Sequence, residues 1–144
     1  MRLALLVSAL AIASASPSLA QVQEGPNKIF QGRDIFSLRA AGDPQVRPDG
    51  GAVAYVRTTQ DIMTDSGHPA IWLLDPVSGA QTPLVVDDAA NLSPRWSPDG
   101  KRLAYVVAGP GGAQLYVRWM DTGRSAKLAN LEPAPGGITW SPDG

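Results

Sequence analysis

The 144-residue chain carries 12 basic and 13 acidic side chains, a net charge of −1, and no cysteine. Disulfide stabilisation is therefore excluded, and no basic stretch is long enough to form a phosphate-binding surface, so nucleic acid is not an expected partner. Fifteen glycines and 13 prolines make close to a fifth of the chain, against an average of about 12%, which marks it as rich in turns.

The first 20 residues read as a secretory signal peptide. Met1-Arg2 is a short basic start, Leu3 to Ala13 is an apolar run with Ser8 its one polar residue, and Ser14 to Ala20 supplies small residues up to a cleavage point between Ala20 and Gln21. The run is shorter than the roughly 20 residues needed to cross a bilayer. The absence of cysteine rules out a lipid-modified cysteine at the new terminus. The expected mature chain is exported, periplasmic or secreted, and free of the membrane. Loss of Arg2 leaves 11 basic against 13 acidic residues, a net charge of −2.

A lead segment, 21–42, precedes short apolar runs separated by turn signals. Expected strands are Val53–Arg57, Ala70–Leu74, Thr82–Val86, Leu92–Trp96, Arg102–Val107, Gln114–Met120 and Ile138–Trp140. They are rich in Val, Leu, Tyr and Trp, and each is shorter than a typical globular helix. Pro-Asp-Gly, Pro-Val-Ser-Gly, Gly-Pro-Gly-Gly and Asp-Thr-Gly punctuate them. The fold class is all-β.

Periodicity narrows the class. The stretch DPQVRPDGGAVAYV, starting at Asp43, returns as SPRWSPDGKRLAYV, starting at Ser93, and WSPDG returns again at Trp140–Gly144. Pro48 to Pro98 is 50 residues and Pro98 to Pro142 is 44. A second marker, Asp75 closing IWLLD and Asp121 closing VRWMD, recurs after 46, with Gly79 and Gly123 following. A repeat of about 40–50 residues holding four short strands is the signature of a β-propeller blade. Within each repeat, proline presets the turn, glycine takes the left-handed position, and the strand that follows is apolar on both faces. Such a sheet fits between neighbours. The expectation is an incomplete β-propeller over 43–144: blade one at about 43–90, blade two at about 91–136, and the start of a third at 137–144. Because closed propellers have about four to eight blades, the chain reads as the front of a longer protein.

The lead IFQGRDIFSL, Asp43-Pro44-Gln45, and the blade stretches RPDGGAVAYVR, IWLLDPVSG, SPRWSPDGKRLAYV and QLYVRWMDTG resemble the start of exported prolyl oligopeptidase-family serine peptidases of the acylaminoacyl-peptidase or dipeptidyl-aminopeptidase-like kind. WSPDG alone is also shared by TolB-like propellers. The resemblance covers about Ile29 to Gly144. It implies a propeller that restricts oligopeptide access to an α/β-hydrolase domain bearing a Ser-Asp-His triad. These 144 residues contain no Gly-x-Ser-x-Gly nucleophile elbow, and the sole histidine, His68, has no nucleophilic motif nearby. The chain by itself is expected to hold no catalytic residue and to bind oligopeptide substrate only together with a hydrolase domain.

Candidate site residues are correspondingly few. Thr58 to His68 is the longest polar connection, and on the family analogy Asp61 or Asp65 meets the amino terminus of a peptide. The spacing of Asp61, Asp65 and His68 matches no metal motif, so neither metal nor cofactor is expected. Asp87-Asp88 reads as a turn between blades. Trp72, Trp96, Trp119 and Trp140 read as packing residues and not as a carbohydrate platform, since Trp96 and Trp140 repeat the same place before Ser-Pro-Asp-Gly. Gly109-Pro110-Gly111-Gly112 lacks the lysine of a phosphate loop and reads as a hairpin tip. Two other readings remain: a non-enzymatic TolB-like periplasmic propeller that binds protein, although only Gln21 to Gly42 is available for the domain that usually precedes it, and a small β protein that completes its sheets by oligomerising. Expressed alone, residues 21–144 should aggregate or unfold without cooperativity; a sharp, reversible monomeric thermal transition would contradict the incomplete-propeller reading.

Overall fold

The computed structural model describes residues 29–132 and 137–144; the expected signal peptide, residues 21–28 of the lead segment and residues 133–136 lie outside them. A short 3-10 turn, Gly32–Ser37, opens this part, with Asp34 accepting a hydrogen bond from the Gln31 amide. Eight strands follow: β1 (Arg39–Val46), β2 (Val53–Asp61), β3 (Ser66–Leu74), β4 (Gln81–Val85), β5 (Ala90–Trp96), β6 (Arg102–Gly109), β7 (Gly112–Trp119) and β8 (Ser125–Leu131). They form two four-stranded antiparallel meanders, β1 to β4 and β5 to β8, each in sequence order. These are two propeller blades. Two of the eight strands, β1 and β8, are not among the expected ones, and the expected strand Ile138–Trp140 is extended chain without a ladder.

The core lies between the sheets. Ala54 and Ile71 from sheet one meet Trp96, Leu103 and Tyr105 from sheet two, with Leu73, Val85, Val107 and Tyr116 around them. In β6 the consecutive residues Leu103, Ala104, Tyr105 and Val106 are all buried, as a strand sandwiched on both faces requires. Sheet two approaches sheet one chiefly through β5, which touches β1, β2 and β3.

A tryptophan fixes the register between blades. The Trp96 indole N–H donates to the backbone carbonyl of Gln45 at 3.0 Å, and Trp140 donates to that of Arg95 at 2.9 Å. Gln45 and Arg95 are themselves equivalent positions, one before Val46 and Trp96 in the two pairing registers. Each tryptophan thus grips the same carbonyl of the blade before it. An arginine from that preceding blade covers each ring: Arg47 lies 5.9 Å from Trp96, and Arg102 lies 5.0 Å from Trp140. Blade one has Val46 at the tryptophan position, and its side chain is 64% exposed.

Register also explains the unequal repeat lengths. Val46 pairs with Val53 as Trp96 pairs with Leu103, an offset of 50, whereas Leu74 corresponds to Arg118, an offset of 44. The change falls at the β2–β3 hairpin, where Gln60 to Gly67 stand in place of Pro110 and Gly111. After it, every marker keeps the offset of 44, including Gly79 and Gly123. The Asp75–Asp121 equivalence is therefore corrected. Asp75 N–H bonds Ala80 and Trp119 N–H bonds Arg124, so Asp75 corresponds to Trp119.

Trp96→Phe removes the indole donor while keeping most of the burial, and should lower stability by about 1–2 kcal/mol. Trp96→Ala should cost about 3–5 kcal/mol, both read by urea denaturation of the full-length protein. Gly100→Ala should also destabilise, because Gly100 has φ +67 and its added Cβ would lie 3.1 Å from Arg47 Cγ.

Candidate functional site

The four strands of a blade leave two unlike ends. One end carries the β1–β2 and β3–β4 turns; the other carries the β2–β3 hairpin and the connection into the next blade.

At the first end, every turn is closed by its own aspartate. Ser97 is fully buried, and its hydroxyl donates to Asp99 Oδ1 at 2.5 Å while accepting from the Arg102 amide; Asp99 accepts from the Lys101 amide. Ser141 repeats the bond to Asp143. In blade one Arg47 stands where Ser97 does, and its Nε donates to Asp49 Oδ1 at 2.7 Å. Asp75 accepts from the Val77 and Ser78 amides. These bonds hold the carboxyls below their ordinary values: Asp99 and Asp143 chiefly through the serine, Asp49 through Arg47, Asp75 through the Val77 amide. They are structural carboxylates, each bonded within its own turn.

The inner edge holds a different group, which sequence reasoning did not single out. β1 and β5 each bulge before a proline, at Asp43 and Ser93, whose φ values are +46 and +53. The bulge turns Asp43 toward the neighbouring blade. Arg95 Nη1 donates to both its oxygens at 3.0 and 2.8 Å and to the Pro94 carbonyl, and Gln45 Nε2 donates to Oδ1. Both residues sit inside the repeated motif, but their pairing depends on a positive φ at a non-glycine residue, which no sequence signal announces.

At the second end lies the Thr58–His68 segment. It is not an open loop: Thr59–His68, Gln60–Gly67 and Asp61–Ser66 are ladder pairs, leaving Ile62 to Asp65 as the turn. Asp61 accepts from the Met63 amide at 2.8 Å and from Thr64 Oγ1 at 3.0 Å, and His68 Nε2 lies 3.8 Å away. The amide of Met63 leads in holding the Asp61 carboxyl below its ordinary value. Asp65, at φ +48, is exposed at the tip. The structure thus brings Asp61 and His68 together and leaves Asp65 apart from them. Among the described residues no three His, Asp or Glu side chains converge.

A cleft of about 450 Å³ lies on the face of sheet one turned away from sheet two, lined by Ala41, Pro44, Val53, Tyr55, Leu74 and Gln81 among others. Tyr55 donates to Gln81, and Arg57 stacks 4.2 Å over Trp72. The equivalent positions in blade two, Leu103, Tyr105, Val107 and Tyr116, pack against blade one. The cleft therefore has the chemistry of a blade-packing face and not of a ligand site.

This architecture defines a run of β-propeller blades. The chain is 34% identical over 118 residues to the uncharacterized peptidase YuxL of Bacillus subtilis, covering 81% of this chain and 18% of that protein. It is 40% identical over 84 residues to the Tol-Pal system protein TolB of Coxiella burnetii, covering 58% of this chain and again 18% of that one. The chain thus spans about a fifth of the length of these relatives. Among solved structures it superimposes on Pyrococcus horikoshii acylaminoacyl peptidase with a TM-score of 0.62 at 25% identity, covering 76% of this chain and 17% of that one. TolB from Acinetobacter baumannii gives 0.52 at 26% identity, over 63% and 21%. No protein-family model matches. The blades are thus similar in sequence to part of a peptidase and to part of TolB, and similar in fold to part of an acylaminoacyl peptidase.

Two measurements test the site. A double-mutant cycle of Asp43→Ala with Arg95→Ala should give a coupling of about 0.5–1 kcal/mol, since both side chains are roughly a third exposed. The turn aspartates are lowered only when folded, so protonation favours the unfolded chain. Their contribution should be fully present above about pH 4 and lost as the pH falls below it, and Asp99→Asn should flatten that acid limb.

Proposed function

We propose that the chain is the N-terminal part of the propeller of an exported serine peptidase that hydrolyses oligopeptides. In this reading the blades restrict entry to an α/β-hydrolase domain carried elsewhere in the full-length protein. The observation that carries it is the 34% identity with a peptidase across 118 residues, joined to the superposition on an acylaminoacyl peptidase. No nucleophile elbow occurs in these residues, so bond cleavage belongs to the other domain. The chemistry of this one is exclusion: a rigid ring admits extended peptides through a channel lined by first strands and turns folded proteins away. Arg95 and Asp43, on the first strands β5 and β1, would face that channel as an ion pair. At the other end Asp65 is the better of the two hairpin aspartates to meet a peptide amino terminus, because the Asp61 carboxylate is committed to its own turn.

The second reading, a TolB-like periplasmic propeller that binds protein, is favoured by the 40% identity over 84 residues. A fluorophosphonate probe separates the two. The full-length protein should be labelled on one serine outside residues 1–144 and should cleave blocked oligopeptides but not folded proteins. Absence of labelling, with further blades and no hydrolase domain, would establish the binding module.

A further inference from the structure

Blade one is longer than blade two at one connection, the β2–β3 hairpin. Gln60 to Gly67 replace Pro110 and Gly111, adding two ladder pairs and a four-residue turn. Two further rungs extend the hairpin by about 7 Å, before the turn itself. The tip displays Ile62, 61% exposed, and Met63, 87% exposed, where blade two has only Gly109-Pro110-Gly111-Gly112. The display is held in place. Asp61 accepts from the Met63 amide and Thr64 Oγ1, and Thr64 and Ser66 share a hydroxyl bond. A turn fixed by its own hydrogen bonds and carrying two solvent-facing apolar side chains is preorganised for contact.

Topology says what it meets. With four antiparallel strands per blade, the chain enters a blade and leaves it at the same end. β1 starts beside the hairpin, with Arg39 paired to Thr59, and β4 runs back toward that end into β5. Trp96 on Gln45 and Arg95 on Asp43 align the blades in parallel, so the rule holds for any number of them. Segments flanking the propeller on either side must therefore emerge over the hairpin end, and a domain built from them sits there. The opposite end is closed by self-bonded Asp, Pro and Gly turns.

Resting on the peptidase reading above, we propose that the Ile62–Met63 tip docks on the α/β-hydrolase domain flanking the propeller, in an apolar socket. The hairpin is then an interdomain strut on blade one.

The test is photocross-linking in the full-length protein with p-benzoylphenylalanine placed at Met63 and, in a separate variant, at Ile62. Val77, 95% exposed in the β3–β4 turn at the opposite end, is the control position. The tip positions should cross-link within one molecule to peptides outside the propeller, at least tenfold above Val77. Cross-links confined to the propeller, links to a second copy, or yields equal to Val77 overturn the proposal. A flanking domain that is cross-linked but carries no fluorophosphonate-reactive serine overturns the peptidase reading and leaves the docking in place.

Discussion

The grip of one blade on the next through a single indole is what the rest of this structure depends on. A four-stranded twisted sheet that is apolar on both faces has no stable existence alone, because each face must be covered. Packing supplies the area, but area is indifferent to a slip of register. The bond from Trp96 to the Gln45 carbonyl is directional, and its repetition between Trp140 and Arg95 makes the spacing a rule of the chain. One residue thus satisfies a backbone acceptor, fills the gap between sheets and sets the translation between blades. The arginine over each ring, Arg47 or Arg102, comes from the blade already in place.

The Ser-Pro-Asp-Gly turn follows from that demand. For Trp96 to reach the preceding blade, the chain must reverse immediately after it. Gly100 supplies the positive φ and, with no Cβ, lets Arg47 lie close enough to reach the ring. The fully buried Ser97 needs partners for its hydroxyl, and Asp99 with the Arg102 backbone provides them. Lys101 and Arg102 give way to Gly51 and Ala52 in blade one: what recurs is the shape of the corner, and its charged residues are free to vary.

Much of this was legible in the sequence because turns and two-faced strands are local. The proline-glycine punctuation places β2, β3, β5, β6 and β7 well. β1 was missed because Gly-Asp-Pro interrupts it, and only an edge strand with a bulge tolerates that interruption. β8, Ser125–Leu131, was missed because SAKLANL is a half-exposed outer edge with weak β propensity. Thr58–His68 looked like a solvated loop because a protruding hairpin is polar on both faces and leaves no apolar alternation to detect. The Asp43–Arg95 pair was out of reach for another reason. Its partners lie 52 residues apart and meet only because a non-glycine residue holds a left-handed conformation.

The shift from an offset of 50 to one of 44 shows where this fold accepts change. Six added residues at the β2–β3 hairpin leave every later pairing undisturbed, including the bulges at Ile71–Trp72 and Leu115–Tyr116. An insertion of that size in the Ser-Pro-Asp-Gly corner would carry Trp96 away from Gln45 and uncouple the blades. The two ends of a blade are therefore under different constraints. One is bound by the register between neighbours, and the other is bound only by its own hairpin. Side chains that serve a partner accumulate where the backbone can be lengthened without cost to the stack. Ile62 and Met63 stand there, at the end where the chain must both enter and leave.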